Sequence, residues 1–322
     1  MKIVIIGGGA GGMPTASNIR KYDEEAEITV ITRDNKVSYS PCAIPYVLSN
    51  KIASFDDIVM RTPEDYEKKN INVLTEAEAT DIDAEAKTVT YTHEGKEHII
   101  EYDKLVLATG GNPFIPPMKG VDLDGVFRIR TIDDGKAVKE WAENCKSAIV
   151  TGAGLIGIEI AYAFKEMGIN VTLTEMMPQI VPRSLDPDMA KIIETYLEKE
   201  GINIALGHPI TELKGENGKV TGAVFGDGTE VECDMVILAT GVRAELGLAK
   251  SIGCECGRWA IRVNDRMATS VPDVFAVGDC VESYDAILRS PTISQLGTTA
   301  IRQAKTCAQT ICGKRSRFNP VL

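Results

Sequence analysis

Cys42 stands between Pro41 and Pro45 in the stretch SYSPCAIPYVLSN, far from the next of the chain's eight cysteines, Cys145. As a thiolate such a residue attacks disulfides and sulfane sulfur; as a thiol in a core it is only a small hydrophobe. Two glycine triplets offer a different chemistry. Gly7, Gly9 and Gly12 in IVIIGGGAGG, and Gly152, Gly154 and Gly157 in AIVTGAGLIGIEIA, each spell G-x-G-x-x-G after an apolar run and before a helical stretch. In that setting the glycines let the backbone turn tightly and approach a pyrophosphate at the following helix N-terminus. Two copies in one chain point to two dinucleotides. Glu175 lies 18 residues beyond Gly157, at the end of the next strand. There a carboxylate accepts from both hydroxyls of an adenine ribose and repels a 2′-phosphate, which favours NADH over NADPH; the plainer alternative is an exposed strand-end acid. In the first copy the matching place holds Thr32, then Arg33 and Asp34. A hydroxyl holds a ribose only weakly, and the spacing does not choose Asp34 in its stead.

The elements that must position these residues follow a repeated plan. KIVIIGGGAGGMPTASNIRKY reads as strand, glycine turn and helix ending near Tyr22, with AEITVITRD as the next strand; SAIVTGAGLIGIEIAYAFKEMGINVTLTE repeats it. The segment SLDPDMAKIIETYLEKEG predicts a helix with Asp186 as N-cap and Pro187 at the first helical position, closing at Gly201. NIALG and the turn-rich KGENGKVTGAVFGDGTEVECDMVILATG read as strands and hairpins, with a tight turn at 226–228, and a similar small sheet is expected over residues 71–107. The proline-rich segment 113–117 and the stretch 241–247 read as crossings between domains. The expected division is a discontinuous first domain, residues 1–113 plus 244–322, with a second domain, 114–243, inserted between.

The bulk numbers fit this plan. A chain of 322 residues exceeds the roughly 100 to 200 residues typical of one domain, and 44% hydrophobic with 25% charged residues is the composition of a folded globular protein. The balance of 35 basic against 46 acidic residues, net −11, opposes binding to nucleic acid or to an anionic membrane. The opening residues lack a signal peptide's apolar stretch, and no run nears the 18 or so apolar residues of a membrane span, so a cytoplasmic location is expected. Eight cysteines without a Cys-x-x-Cys, beside only three histidines, fit reduced thiols better than a disulfide framework or a zinc site, so no metal is expected.

Six motifs in order, IVIIGGGAGG, SYSPCAIPY, LVLATGGNPFIPP, AIVTGAGLIGIEIA, VILATGV and TSVPDVFAVGDC, resemble the FAD-dependent pyridine nucleotide-disulfide oxidoreductases. The resemblance is to the single-cysteine branch of coenzyme A disulfide reductases, NADH oxidases, NADH peroxidases and persulfide reductases. It implies an α/β, glutathione-reductase-like fold of two Rossmann-like dinucleotide-binding domains, FAD on the first glycine turn and NADH on the second. It implies further cofactor contacts at Thr32, Arg33, Ser38, Pro41, Ala79, Thr109, Gly110, Gly241 and Gly278, with Asp279 on the ribityl chain of FAD. Glu159 matches a glutamate near nicotinamide and flavin, against the alternative of a solvated helix face. Cys42 matches the redox cysteine beside the flavin, on the face opposite the nicotinamide. A helix starting around Cys42, with Pro45 tolerated in its first turn, would favour the thiolate.

The two-cysteine branch places its second thiol five positions on, where this chain has Val47. Cys42 must then hold oxidising equivalents as a sulfenic acid or as a mixed disulfide with a small thiol. Ala10 occupies the place of the histidine that peroxidases and water-forming oxidases of the family carry, and Ala43 that of the usual glycine. The alanine at position 10 favours a thiol cofactor, coenzyme A, with Ser38 near its thiol arm and Arg20 and Lys21 toward its phosphates; Arg20 and Lys21 are also ordinary surface residues at a helix end. Gln303 fits the helix that approaches the flavin in the family, or faces solvent. Family members carry a further C-terminal domain that builds the homodimer, and this sequence ends at GKRSRFNPVL near where it would start. The leading expectation is an enzyme passing hydride from NADH through FAD to a small-molecule disulfide or persulfide on Cys42. The rivals are a peroxide-forming NADH oxidase using oxygen, a reductase of a small redox protein, and a flavin-binding sensing or structural protein.

Overall fold

The apolar runs KIVII, EITVI and KLVL form neighbouring strands of one parallel sheet, and SAIVT, NVTLTE and MVIL do the same in a second. Strands covered on both faces need side chains that are apolar on both, which is why the pattern is continuous rather than alternating. Ile3, Ile5, Leu105 and Leu107 are all at most 1% exposed, and burying each such side chain contributes about 1.5–3 kcal/mol. The computed structural model describes residues 1–321. Its contacts divide the chain into Met1–Tyr39, Val59–Asn112 and Arg243–Leu322 as one unit and Ser40–Ile58 with Pro113–Val242 as another.

In the first unit the sheet runs Val274–Ala276, Lys104–Leu107, Lys2–Ile6, Glu27–Ile31, Ile71–Leu74, every pair parallel. In the second it runs Val126–Phe127, Met235–Leu238, Ser147–Thr151, Asn170–Glu175, Asn203–Leu206, again all parallel. The two orders correspond strand for strand. The glycine-turn strand sits at the centre, its chain successor on one side, and on the other the strand that ends in Ala-Thr-Gly. Only the fifth strand differs in origin: residues 274–276 come long after the first glycine turn, residues 126–127 before the second. Each sheet carries a three-stranded antiparallel appendage in the chain, Ala77–Asp83, Thr88–His93, Lys96–Glu101 and Ile210–Glu216, Lys219–Phe225, Glu230–Glu232. In both sheets the strand order reverses beside the central strand, at the place where open α/β sheets bind ligands.

The expected helix after the second glycine unit spans Pro187–Lys199. Asp186 has an N-cap backbone but makes no side-chain capping bond, and Gly201 has φ +86° beyond the end. One segment departs from the expected division. Residues 40–58, placed by the sequence in the first domain, group by contact with the second unit. Within that unit the short helix Ile44–Leu48 packs on the helices Ile132–Ala142 and Leu155–Glu166.

Candidate active site

The two glycine turns share their closest contacts. Gly7 has φ +116° and a Cβ there would lie 2.1 Å from the Ala108 carbonyl oxygen; Gly152 has φ +98° and meets the Ala239 carbonyl oxygen at 2.4 Å. The first glycine is therefore fixed by backbone handedness and by the neighbouring strand. The third is fixed by the first: a Cβ on Gly12 would sit 1.8 Å from the Gly7 oxygen, and one on Gly157 1.9 Å from the Gly152 oxygen. The middle glycine answers to nothing in the protein. Neither Gly9 nor Gly154 has any atom within 4 Å of an added Cβ, so each leaves open a space that a side chain would fill. That space adjoins the helices Gly12–Tyr22 and Leu155–Glu166, whose N-caps Gly11 and Gly154 have no side chain to satisfy the first N–H groups. An open space at a helix N-terminus fits a pyrophosphate, so the residues present suit a dinucleotide at each turn.

Around the first turn, Thr32 is buried, and a Cβ on Gly8 would lie 3.1 Å from Thr32 Cβ; the residue packs beneath the turn. Arg33 is exposed and pairs with Glu78 at 3.6 Å. Ala79 lies at an irregularity in the register of the strand Ala77–Asp83. Thr109 donates from Oγ1 to the Glu245 carbonyl at 3.0 Å, and Gly110 accepts from the Glu245 N–H at the same distance. Gly278, at φ +85°, donates its N–H to Gln303 Oε1 at 2.8 Å. Gln303 is 1% exposed, so the solvent-facing alternative fails: its amide oxygen holds the N–H of Gly278, the residue before Asp279, on the half-buried turn. Ser38 has φ +51° and shares a 2.6 Å hydrogen bond with Tyr66 Oη. Arg20 donates to the carbonyls of Asp23, Glu24, Ala26, Lys69 and Asn70. Its guanidinium ties the end of its helix to two loops, a use that helix-end position alone did not reveal.

In the second unit Glu175 accepts the Ala153 N–H at 2.9 Å with one carboxylate oxygen and the Met177 N–H at 3.0 Å with the other. Ala153 is thus held from both sides, because its carbonyl accepts the Val181 N–H at 2.8 Å. Gly241 has φ +107° and accepts the Phe114 N–H at 2.8 Å. Glu159, on the first turns of the helix Leu155–Glu166, keeps much of its surface exposed, yet desolvation by neighbouring protein raises its carboxyl above the ordinary range. No countercharge offsets that burial.

Cys42 occupies the middle of a tight turn, Pro41–Ala43, that runs directly into the helix Ile44–Leu48. Pro41 and Cys42 are exposed while Ile44, Pro45, Val47 and Leu48 are buried, so the helix is anchored by one face and lifts the sulfur into the open. All eight cysteines are free, and of these eight Cys42 alone is exposed. Burial pushes the thiols of Cys145 and Cys233 up to about 11 and about 12, and those of Cys254, Cys280, Cys307 and Cys312 upward as well.

Two parallel sheets of one topology, each with a glycine cradle at its central strand, define a protein for two dinucleotides. The chain belongs to the pyridine nucleotide-disulphide oxidoreductase family, whose model matches residues 1–308. It is 51% identical to an NADH oxidase of Methanocaldococcus jannaschii and 34% identical to an NAD(P)H coenzyme A polysulfide/persulfide reductase of Pyrococcus horikoshii, covering in each case all of this chain and 72% of the relative. Among solved structures it superimposes on an NAD-dependent persulfide reductase from A. fulgidus with a TM-score of 0.98 at 35% identity, over all of this chain and 61% of that one. A water-forming NADH oxidase from Lactobacillus brevis bound to NADH gives 0.94 at 28% identity, over 99% of this chain and 71% of the other. The family uses FAD and NADH. No described helix is long and apolar enough to cross a membrane.

Proposed function

We propose that this chain passes hydride from NADH through FAD to the sulfur–sulfur bond of a small disulfide or persulfide engaged by Cys42. The observation that carries the reading is the contrast among the thiols: Cys42 is exposed on a short turn, while six of the other seven are pushed toward the inert thiol by burial. FAD would lie on the Gly7–Gly12 cradle with Asp279 on its ribityl chain, and NADH on the Gly152–Gly157 cradle with Glu175 toward its adenine ribose. When bound, the flavin supplies the two-electron chemistry linking nicotinamide to sulfur.

The chain's own contribution is positional. The Cys42 thiolate attacks one sulfur of the substrate, forming a mixed disulfide and expelling the other sulfur as a thiolate that takes up a proton. Two electrons and a proton from NADH then release the second thiol and restore Cys42, so that NADH, one proton and a disulfide give NAD⁺ and two thiols. Val47 lies where the other branch has its resolving thiol, which leaves a small thiol such as coenzyme A to carry the leaving group. Ser38 would then contact that ligand's thiol arm only by exchanging its bond to Tyr66. Arg20 has no donor left over for phosphates, since five carbonyls occupy it. Free thiols throughout support the cytoplasmic assignment.

The name of the Methanocaldococcus relative favours a second reading, NADH oxidation by oxygen to peroxide, in which Cys42 is dispensable. Anaerobic NADH consumption with coenzyme A disulfide or an organic persulfide separates the two. The proposal expects turnover that yields two thiols per NADH with the disulfide; consumption only on admission of oxygen would contradict it.

A further inference from the structure

The segment that carries Cys42 is seated on one face of the helix Ile132–Ala142. Gly135 and Lys139 are four positions apart and so share that face. A Cβ on Gly135 would lie 2.7 Å from Phe55 Cε1 and 3.0 Å from Ile44 Cγ2, so the missing side chain is what lets both groups settle against the helix. Ile44 begins the helix that follows Cys42, and Phe55 lies at the far end of the same segment. One turn on, Lys139 donates from Nζ to the Val47 carbonyl at 3.0 Å and to Asn50 Oδ1 at 2.9 Å. Its ammonium also lies 5.9 Å from the centre of the Phe55 ring.

Val47 is in the last turn of the helix Ile44–Leu48 and its carbonyl also accepts the Asn50 N–H at 3.2 Å, and Asn50 leaves that helix at φ +58°. Lys139 therefore closes the end of the element opposite the one where Cys42 enters. On another side Lys51 pairs with Glu166 at 2.7 Å, the last residue of the helix that starts at the second glycine cradle.

We propose that Gly135 and Lys139 form a docking seat that sets the height and angle at which the helix Ile44–Leu48 presents the Cys42 sulfur, and that they are positioning residues for its chemistry. A helix of five residues cannot hold its own direction, because so short a helix is marginal without tertiary contacts. The seat supplies them, and attack on sulfur requires that precision: a displacement near 1 Å costs about 10²-fold in rate. The inference rests on the reading of Cys42 as the redox thiol.

The test compares two activities of the same flavin-loaded preparation, NADH-driven reduction of coenzyme A disulfide and NADH-driven reduction of ferricyanide, which takes electrons from flavin without a thiol. Lys139→Met keeps the stem and removes the ammonium. Its disulfide kcat should fall about tenfold or more, with KM for NADH and ferricyanide turnover held within about twofold. Lys139→Arg should recover part of the loss, and Gly135→Ala should reproduce it. If Lys139→Met fails to fold, Lys139→Gln, which removes the ammonium and keeps a polar side chain, carries the same comparison. Unchanged disulfide turnover, or a parallel fall of both activities, overturns the seat. A Cys42→Ser control keeps the layers apart: loss of its disulfide turnover beside a fully active Lys139→Met defeats the seat alone, whereas retained turnover in Cys42→Ser defeats the redox reading and the seat together.

Discussion

The Glu175 carboxylate and the Ala153 N–H, 2.9 Å apart, join the end of one strand to the glycine turn at the end of its neighbour. The same carboxylate takes the Met177 N–H at 3.0 Å with its other oxygen. The residue that the sequence marks as a ribose contact is thus also a brace for the cradle. A carboxylate held in place by two amides is preorganised, so in the proposed nucleotide placement a ribose would meet a fixed acceptor and a 2′-phosphate a fixed negative charge.

Glu175→Gln removes that charge and keeps one amide acceptor. The ratio of kcat/KM for NADH to that for NADPH should shrink by about tenfold or more, mostly through a higher KM for NADH. Steady-state rates with both nucleotides measure it, and an unchanged ratio would take Glu175 out of nucleotide selection.

Alanine at the middle and third glycines of the second turn should fail in different ways. Gly157→Ala forces a methyl to 1.9 Å from the Gly152 oxygen and should destabilise the fold by about 3 kcal/mol or more, visible as a lower thermal midpoint without any ligand. Gly154→Ala meets no protein atom within 4 Å, so its midpoint should match the wild type while NADH affinity falls. The same contrast between Gly12 and Gly9 should appear in flavin retention. Equal midpoints for the two substitutions would mean the cradle is not packed as described.

Glu159 gives a pH signature. Desolvation raises its carboxyl above the ordinary 4.5, so the folded state prefers the protonated form. The corresponding stability is fully present below the unfolded value and is lost as pH rises through the folded one. Glu159→Gln should therefore stabilise the protein at neutral pH, and the gain should vanish on acidification below about pH 4. Denaturation midpoints at the two pH values, wild type against variant, decide it; a gain that persists in acid would point to packing rather than charge.

The sequence exposed most of what is local. Glycine turns announce themselves because the backbone handedness of Gly7 and Gly152 excludes other residues, and the helix Pro187–Lys199 was legible in its proline and glycine borders. What escaped is held by distant partners. Arg20 looks like a surface cation until the carbonyls of Lys69 and Asn70 come round to it. Gln303 looks solvated until Gly278, distant in sequence, folds onto its amide. Residues 40–58 read as part of the first domain because they lie within its sequence, yet Lys139, nearly ninety positions on, holds Asn50. No periodicity encodes such contacts; only a feature such as Gly135, a glycine inside a helix where it costs about 1 kcal/mol relative to alanine, hints that something packs there.

The central claim is that one exposed sulfur, Cys42, carries the substrate. Cys42→Ser removes it while leaving both glycine cradles intact. The most direct measurement is anaerobic stopped-flow of this variant loaded with flavin, mixed first with NADH and then with coenzyme A disulfide. Flavin should bleach with NADH at close to the wild-type rate and stay reduced when the disulfide arrives. Prompt reoxidation by the disulfide at the wild-type rate would contradict the account.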